Sequence, residues 1–358
     1  MIKELELNNF TVFEKASFVF GEKLNIIVGG NGTGKSHILK LLYAWEQGAF
    51  SPSFIKSNKD KITVEKYFQS LFKCDDDLRG LLNYKLLKNT SKPQQARIKV
   101  HFEDSGKDYG SLIYINYPHE IVTPPVKFAI VKPDKLELTY AAQENGLFLQ
   151  ARDMLTIYPN FLSLTQRYIL PYDITYEDTI GKLGIPYLKE EPREFSELIH
   201  SLEQNIHGKI YLKNERFYYQ ADDAPKDFEQ DVNMLAEGWR KLGEIIQLLR
   251  NGELRKGMAL FWDEPEANLN PQYIRLIADV IIKLSELDIQ IFIATQSLFL
   301  VNELEILIAK QKIKDGVRFF NLQKGKAPQQ GNTMSALKNV LLLDEEMMQS
   351  DRYMDEEV

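Results

Sequence analysis

The chain has 358 residues, 44% of them hydrophobic, and a net charge of −7. That allows one large domain or two ordinary ones around a sizeable core, and it argues against a bare, non-specific polyanion binder. The lone cysteine, Cys74, excludes an internal disulfide and a multi-thiolate zinc site. No apolar run reaches the roughly 18 residues of a membrane span. Met1-Ile2-Lys3-Glu4 lacks the apolar block of a signal peptide, so a cytoplasmic protein with no membrane partner is expected. His37, His101, His119, His200 and His207 are scattered without the i, i+4 pairing of a helical metal site.

Ile2 to Leu7 and Ala16 to Phe20 alternate apolar with polar residues, which predicts two neighbouring strands. In the corner between them Phe13 reads either as a core aromatic or as a stacking partner for a base. Leu24 to Val28, rich in β-branched residues, predicts a buried strand, and a helical pattern opens at His37. Between them Gly29-Gly30-Asn31-Gly32-Thr33-Gly34-Lys35-Ser36 fits the phosphate-loop spacing G-x-x-x-x-G-K-[ST] in the strand-to-helix context that motif requires. Glycines let successive backbone N–H groups turn inward and the helix N-terminus adds its positive end. Lys35 reaches the β- and γ-phosphates, and the Ser36 hydroxyl can ligate Mg²⁺. ATP and Mg²⁺ are the expected cofactors, with His37 beside the nucleotide.

Residues 48–229 separate this loop from the next strong motif. Helices are predicted near 62–73, 76–88, 162–170 and 194–205, and strands near 96–103, 111–117 and 126–132. No heptad pattern is sustained, which excludes a long coiled-coil arm. Arg79, Lys85, Lys88, Lys92, Arg97 and Lys99 have no acid between them; a solvated face and a grip on DNA are both open readings. Gln150 and Asp153 end an apolar run, as ordinary loop residues or within reach of a metal or water. Lys209 to Leu212 and Arg216 to Gln220 predict a hairpin turning at Lys213-Asn214-Glu215.

In Leu235 to Arg250 the apolar residues Leu235, Trp239, Leu242, Ile246 and Leu249 form one helical stripe, which leaves Glu237, Arg240, Lys241, Glu244 and Gln247 facing outward. Gly238 either opens the helix start to a ligand or relieves packing. Met258 to Trp262 predicts a buried strand ending in Asp263-Glu264-Pro265-Glu266. In a phosphate-loop ATPase the first acid holds the Mg²⁺ shell and the second polarises the attacking water. Asn270 caps a helix with Pro271 at its first position. Asp288 to Thr295 is another buried strand, ending at Gln296-Ser297 where a γ-phosphate sensor fits. A helix at 299–309, a strand at 317–322, a polar loop over 323–332 and a helix at 334–343 follow. The strand–helix alternation predicts a largely parallel sheet with its ligand beyond the strands' carboxyl ends. Asp344 to Val358, with seven acids and one arginine, predicts a flexible acidic tail.

The order of phosphate loop, insertion, Leu235-Ala236-Glu237-Gly238, Leu260 to Pro271 and Ala294-Thr295-Gln296-Ser297 resembles the ABC-type ATPase head of SMC, RecF and OLD-family proteins. Within that group it most resembles the stand-alone AAA-family ATPases of bacterial antiphage and abortive-infection systems of the Septu type. The resemblance implies an α/β fold: one domain over 1–343, with 1–47 and 230–325 as nucleotide core and 48–229 as helical insertion and antiparallel β lobe. It also implies a homodimer or higher homo-oligomer, in which Mg-ATP held by one copy meets Ala236, Glu237 and Gly238 of the other. Glu264 and Gln296 are its catalytic candidates, and Ser36 and Asp263 its metal ligands. Ala236 stands where many such heads have serine, so closure would lean on Arg240 or Lys241. Gln296 stands where the switch residue is usually histidine, which implies slow turnover. The chain is too short past 325 for the nuclease domain of OLD proteins, so a separate effector, such as a nuclease, is expected. Direct DNA binding is the alternative.

Overall fold

The computed structural model describes residues 1–48, 64–74, 78–83, 85, 94–104, 107–117, 127–131, 146–225, 227–311, 313 and 315–356. The N-terminal alternation forms β1 (Ile2–Phe10) and β2 (Phe13–Val19), an antiparallel pair with Leu5 opposite Phe18 and Leu7 opposite Ala16. β3 (Leu24–Gly29) is buried throughout and leads into α1 (Lys35–Glu46). After α2 (Val64–Phe72), β4 (Gln94–Asp104), β5 (Lys107–Tyr117) and β6 (Lys127–Val131) extend the first pair into a five-stranded antiparallel sheet, β2-β1-β4-β5-β6. The antiparallel lobe therefore begins at the N-terminus and uses β1 and β2, which precede the phosphate loop.

β7 (Gly146–Leu149) returns to the centre. α3 (Phe161–Arg167), α4 (Ile174–Leu183) and α5 (Ser196–Ile206) follow, then the hairpin β8 (Gly208–Lys213) and β9 (Arg216–Ala221), flanked by β10 (Gln230–Asp231). The remaining elements are α6 (Glu237–Arg250), β11 (Ala259–Asp263), α7 (Pro271–Glu286), β12 (Gln290–Thr295), α8 (Leu298–Gln311), β13 (Val317–Leu322), β14 (Gln329–Gly331) and α9 (Leu341–Asp355). The central sheet runs β14-β13-β3-β12-β11-β7, parallel except for the edge strand β14.

Both faces of this sheet are covered, which is why its strands read as continuous apolar runs. Leu260 and Trp262 of β11, and Ile291 and Ile293 of β12, enter the core shared with α6 and α7. Phe261, Phe292 and Ala294 enter a second core with α1 and the antiparallel sheet. Two buried amides join the sheets. Gln290 accepts from Ile2 N–H at 2.8 Å and donates to the Ile2 and Gly21 carbonyls, while Asn25 exchanges bonds with Gly21.

Several elements differ from their sequence patterns. The helix expected near 76–88 is a 3-10 turn at Leu78–Leu81, and part of that span lies outside the described residues. α4 escapes the pattern because Ile, Thr and Gly weaken its propensity; Asp173 caps it by accepting from Thr175 N–H at 2.9 Å. β14 occupies the expected polar loop. The final helix starts at Leu341, not 334, and continues through the acids expected to be a tail. Leu342 and Leu343 pack on the core, and acids suit a helix's positive first turn.

The polar face of α6 is not solvated. Lys241, Glu244 and Gln247 are buried because the segment after β7 and the end of α4 cover that side. Glu244 accepts from Met154 N–H at 3.1 Å. Burial, with Asp153 nearby, pushes its carboxyl up to about 8. The folded chain thus holds a proton that the unfolded chain releases above about pH 4.5, so this group costs stability progressively from there up to about pH 8. Glu244→Gln, which keeps the acceptor and removes the titration, is expected to raise Tm, with a larger gain at pH 8 than at pH 5 in thermal melts.

Candidate nucleotide site

The parallel register brings the ends of β3, β12, β11 and β7 to one edge: Val28 opposite Thr295, Asp263 opposite Ala294, Leu149 opposite Trp262. Beyond β3 the loop Gly30–Gly34 wraps the start of α1. Gly34 has φ +96°, and a Cβ there would meet the Phe13 ring at 2.6 Å and Val12 at 2.7 Å, so both the turn and the packing require glycine. Phe13 is a buried core aromatic, edge-on to Phe18. Thr33 closes the loop through a 2.8 Å bond to the Gly30 carbonyl, with Asn31 and Gly32 exposed at its tip. Lys35 is buried and donates to the carbonyls of Gly29 at 2.8 Å and Gly30 at 3.2 Å. Burial pushes its ammonium below the usual lysine range against the pull of Glu264, Asp263 and Glu266.

His37 is turned into the protein. Its ring lies edge-on to Phe72 at 5.7 Å, and burial, helped by Lys40, lowers its pKa to about 4. A neutral core imidazole is the result, leaving its backbone as the part that belongs to the first turn of α1.

The carboxyl of Asp263 is raised by burial, with the nearby Ser36 side chain acting against that rise. Asp263 Oδ1 is buried with no partner among the described residues. Gln150, one residue past β7, donates to Thr175 at 3.1 Å, and its Oε1 is likewise buried and unpartnered. Two orphaned oxygens at the ends of neighbouring strands, beside a serine hydroxyl, fit a hard cation such as Mg²⁺. Asp153 does not join them. It is buried in a 3.0 Å ion pair with Arg240.

Glu264 leaves β11 with φ +45°, an uncommon backbone for a side-chain-bearing residue. Its N–H donates to the Ala294 carbonyl at 2.8 Å, and its carboxylate accepts from Gln296 Nε2 at 3.0 Å. Glu266 anchors the same loop, accepting from Thr295 Oγ1 at 2.6 Å and Gln296 N–H at 3.3 Å; burial raises its carboxyl. Sequence reasoning gave this acid no role, although its place two residues after Glu264 was visible.

At the start of α6, Ala236 is exposed and supplies no side-chain cap. Glu237 accepts from Asn268 Nδ2 at 3.2 Å. Gly238 is buried, and a Cβ there would lie 3.0 Å from the Tyr273 ring, so glycine relieves packing at this position. Arg240 and Lys241 are also turned inward, contrary to their expected place at a dimer seam. Arg240 bonds Asp153 and the Leu235 carbonyl. Lys241 donates to the carbonyls of Pro265 at 3.2 Å and Ala267 at 2.7 Å, tying α6 to the loop that carries Asp263 and Glu264.

A phosphate loop, paired acids and a buried parallel sheet define a P-loop ATPase fold. A protein-family model described as an AAA domain matches residues 4–315, and the chain belongs to that family. It is 25% identical over 217 residues to the DNA replication and repair protein RecF of Clostridioides difficile (strain 630), covering 58% of this chain and 56% of that one. It is 42% identical over 272 residues to the protein of the same name from Shouchella clausii (strain KSM-K16), covering 73% and 70%. The chain thus spans about half the length of the first relative and 70% of the second. An SMC head crystallised with the C-winged helix domain of ScpA shares the fold, with TM-score 0.53 and 14% identity over 94% of this chain and 99% of that one.

Lys241→Met would strip one buried and one part-buried carbonyl of their donor, at about 1–3 kcal/mol for the buried one. Expected outcomes are a lower Tm and an ATP turnover reduced more than ATP affinity, measured by steady-state hydrolysis beside equilibrium titration.

Proposed function

We propose that this head binds Mg-ATP at the shared strand edge and hydrolyses it slowly between two copies of the chain, the ATP-bound dimer being the state a partner reads. The observation that carries this is the convergence of Ser36, Asp263 and Gln150, with two orphaned oxygens, beside the Glu264–Gln296 pair. Backbone N–H groups of Gly32, Gly34, Lys35 and Ser36 hold the phosphates, and Lys35 exchanges its loop carbonyls for phosphate oxygens. Ser36, Asp263 and Gln150 would hold Mg²⁺, which would supply charge neutralisation at those phosphates. Glu264 orients the attacking water and takes up its proton, with Gln296 fixing the carboxylate. The exposed Ala236 and half-buried Glu237 at the start of α6 meet the partner copy's nucleotide.

The relatives named for DNA replication and repair support nucleic acid as the partner. A second reading, a regulatory subunit that controls a separate effector in antiphage defence, is supported by Ala236 and Gln296, which favour a long-lived ATP state. Salt-dependent binding of duplex DNA by the purified chain favours the first; co-purification with the product of a neighbouring gene favours the second.

Glu264→Gln is expected to lower hydrolysis by about a hundredfold or more and to double the mass in light scattering when ATP is added. An unchanged mass, in a variant that still binds ATP, contradicts the dimer. Glutamine at 296 cannot become a cation, so Gln296→His is expected to raise turnover by up to about tenfold, equivalent to about 1.4 kcal/mol; a loss of rate contradicts this role.

A further inference from the structure

Two lysines of the basic run legible in the sequence, Arg79 to Lys99, are paired with acids. Lys85 pairs with Glu14 at 2.7 Å and Lys99 with Glu6 at 3.4 Å, while Lys88 and Lys92 lie outside the described residues. A cleft of about 270 Å³ between the β1–β2 turn and the β13–β14 turn gathers Lys15, Lys324 and Lys326, residues far apart in sequence. All three are exposed, and none has an ion pair among the described residues. The cleft's one acid, Glu14, is occupied by Lys85.

The walls are held in place. Asn83 N–H donates to the Asn9 carbonyl at 2.9 Å, and Lys326 N–H closes its turn on the Gln323 carbonyl at 3.2 Å. Val12 lines the cleft and also packs against the start of α1 at Gly34, so the cleft borders the phosphate loop. Three ammonium groups without an ion pair, one on β2 and two on the β13–β14 turn, in a chain of net charge −7, form a local positive field suited to an extended polyanion.

We propose that this cleft grips the phosphodiester backbone of a nucleic acid, with Lys15, Lys324 and Lys326 each contacting a phosphate. The proposal rests on the nucleic-acid reading of the partner, and it places that partner against the flank of the ATP site. The contacts are to phosphates, so they carry no base specificity and release counterions.

The test is fluorescence anisotropy of a labelled duplex and a labelled single-stranded oligonucleotide across a KCl series, with ATP affinity titrated in parallel. The variants are Lys15→Gln/Lys324→Gln/Lys326→Gln and, as a control, Lys209→Gln, an exposed lysine of β8 outside the cleft, with folding checked by thermal melting. The triple variant is expected to weaken oligonucleotide binding at least tenfold and to flatten the log–log salt slope by about 2–3, with ATP affinity and Tm unchanged; Lys209→Gln should resemble the wild type. Wild-type-like binding by the triple variant overturns the proposal. So does a loss of ATP affinity with oligonucleotide binding intact, which would assign the cleft to the nucleotide's own site. If the wild type binds neither oligonucleotide at low salt, the nucleic-acid reading fails together with this inference.

Discussion

Parallel strands buried on both faces must end together, and in this chain that requirement builds the site. β3 is hydrogen-bonded between β13 and β12, and β11 lies between β12 and β7, so every strand that carries a functional residue points the same way. Gln150, Asp263 and the phosphate loop come from segments more than a hundred residues apart, yet a fixed register delivers them to one edge. Displacing β3 or β11 along the sheet would separate Ser36 from Asp263. Alternation of their side chains between two cores makes such a slip costly, because it would exchange both apolar sets at once.

Around that edge, buried polar side chains link the segments of the site. α6 buries Lys241 on two carbonyls of the acid-bearing loop, Arg240 on Asp153 and Glu244 on Met154 N–H. An event at the exposed start of this helix therefore bears on both the Glu264 loop and the segment after Gln150 without a side chain crossing solvent. Groups desolvated in this way are costly to leave unpaired, which ties the position of the loops to the position of the helix.

Much of this was readable from residues alone. The phosphate loop, the strand ending in Asp263-Glu264, the Asn270-Pro271 helix start and the Asn214-Glu215 hairpin turn all have local causes: spacing, capping and turn chemistry. What was not readable depends on covering layers. Lys241, Glu244 and Gln247 look like a solvated face because the segments that bury them lie tens of residues away. Gly238 looked open because nothing in its neighbourhood announces Tyr273, and His37 looked like a nucleotide neighbour because its turn is right although its ring is not. The acids of α9 read as a tail, yet they also suit a helix's first turn.

The dependence of ATP affinity on Mg²⁺ measures most directly whether the strand ends form one site. Titration of the wild-type chain with ATP should show tighter binding in Mg²⁺ than in EDTA, and Asp263→Asn should remove most of that difference while keeping the fold. Equal affinity in both conditions, or a Mg²⁺ effect untouched by Asp263→Asn, would contradict a cation site built by Ser36, Asp263 and Gln150.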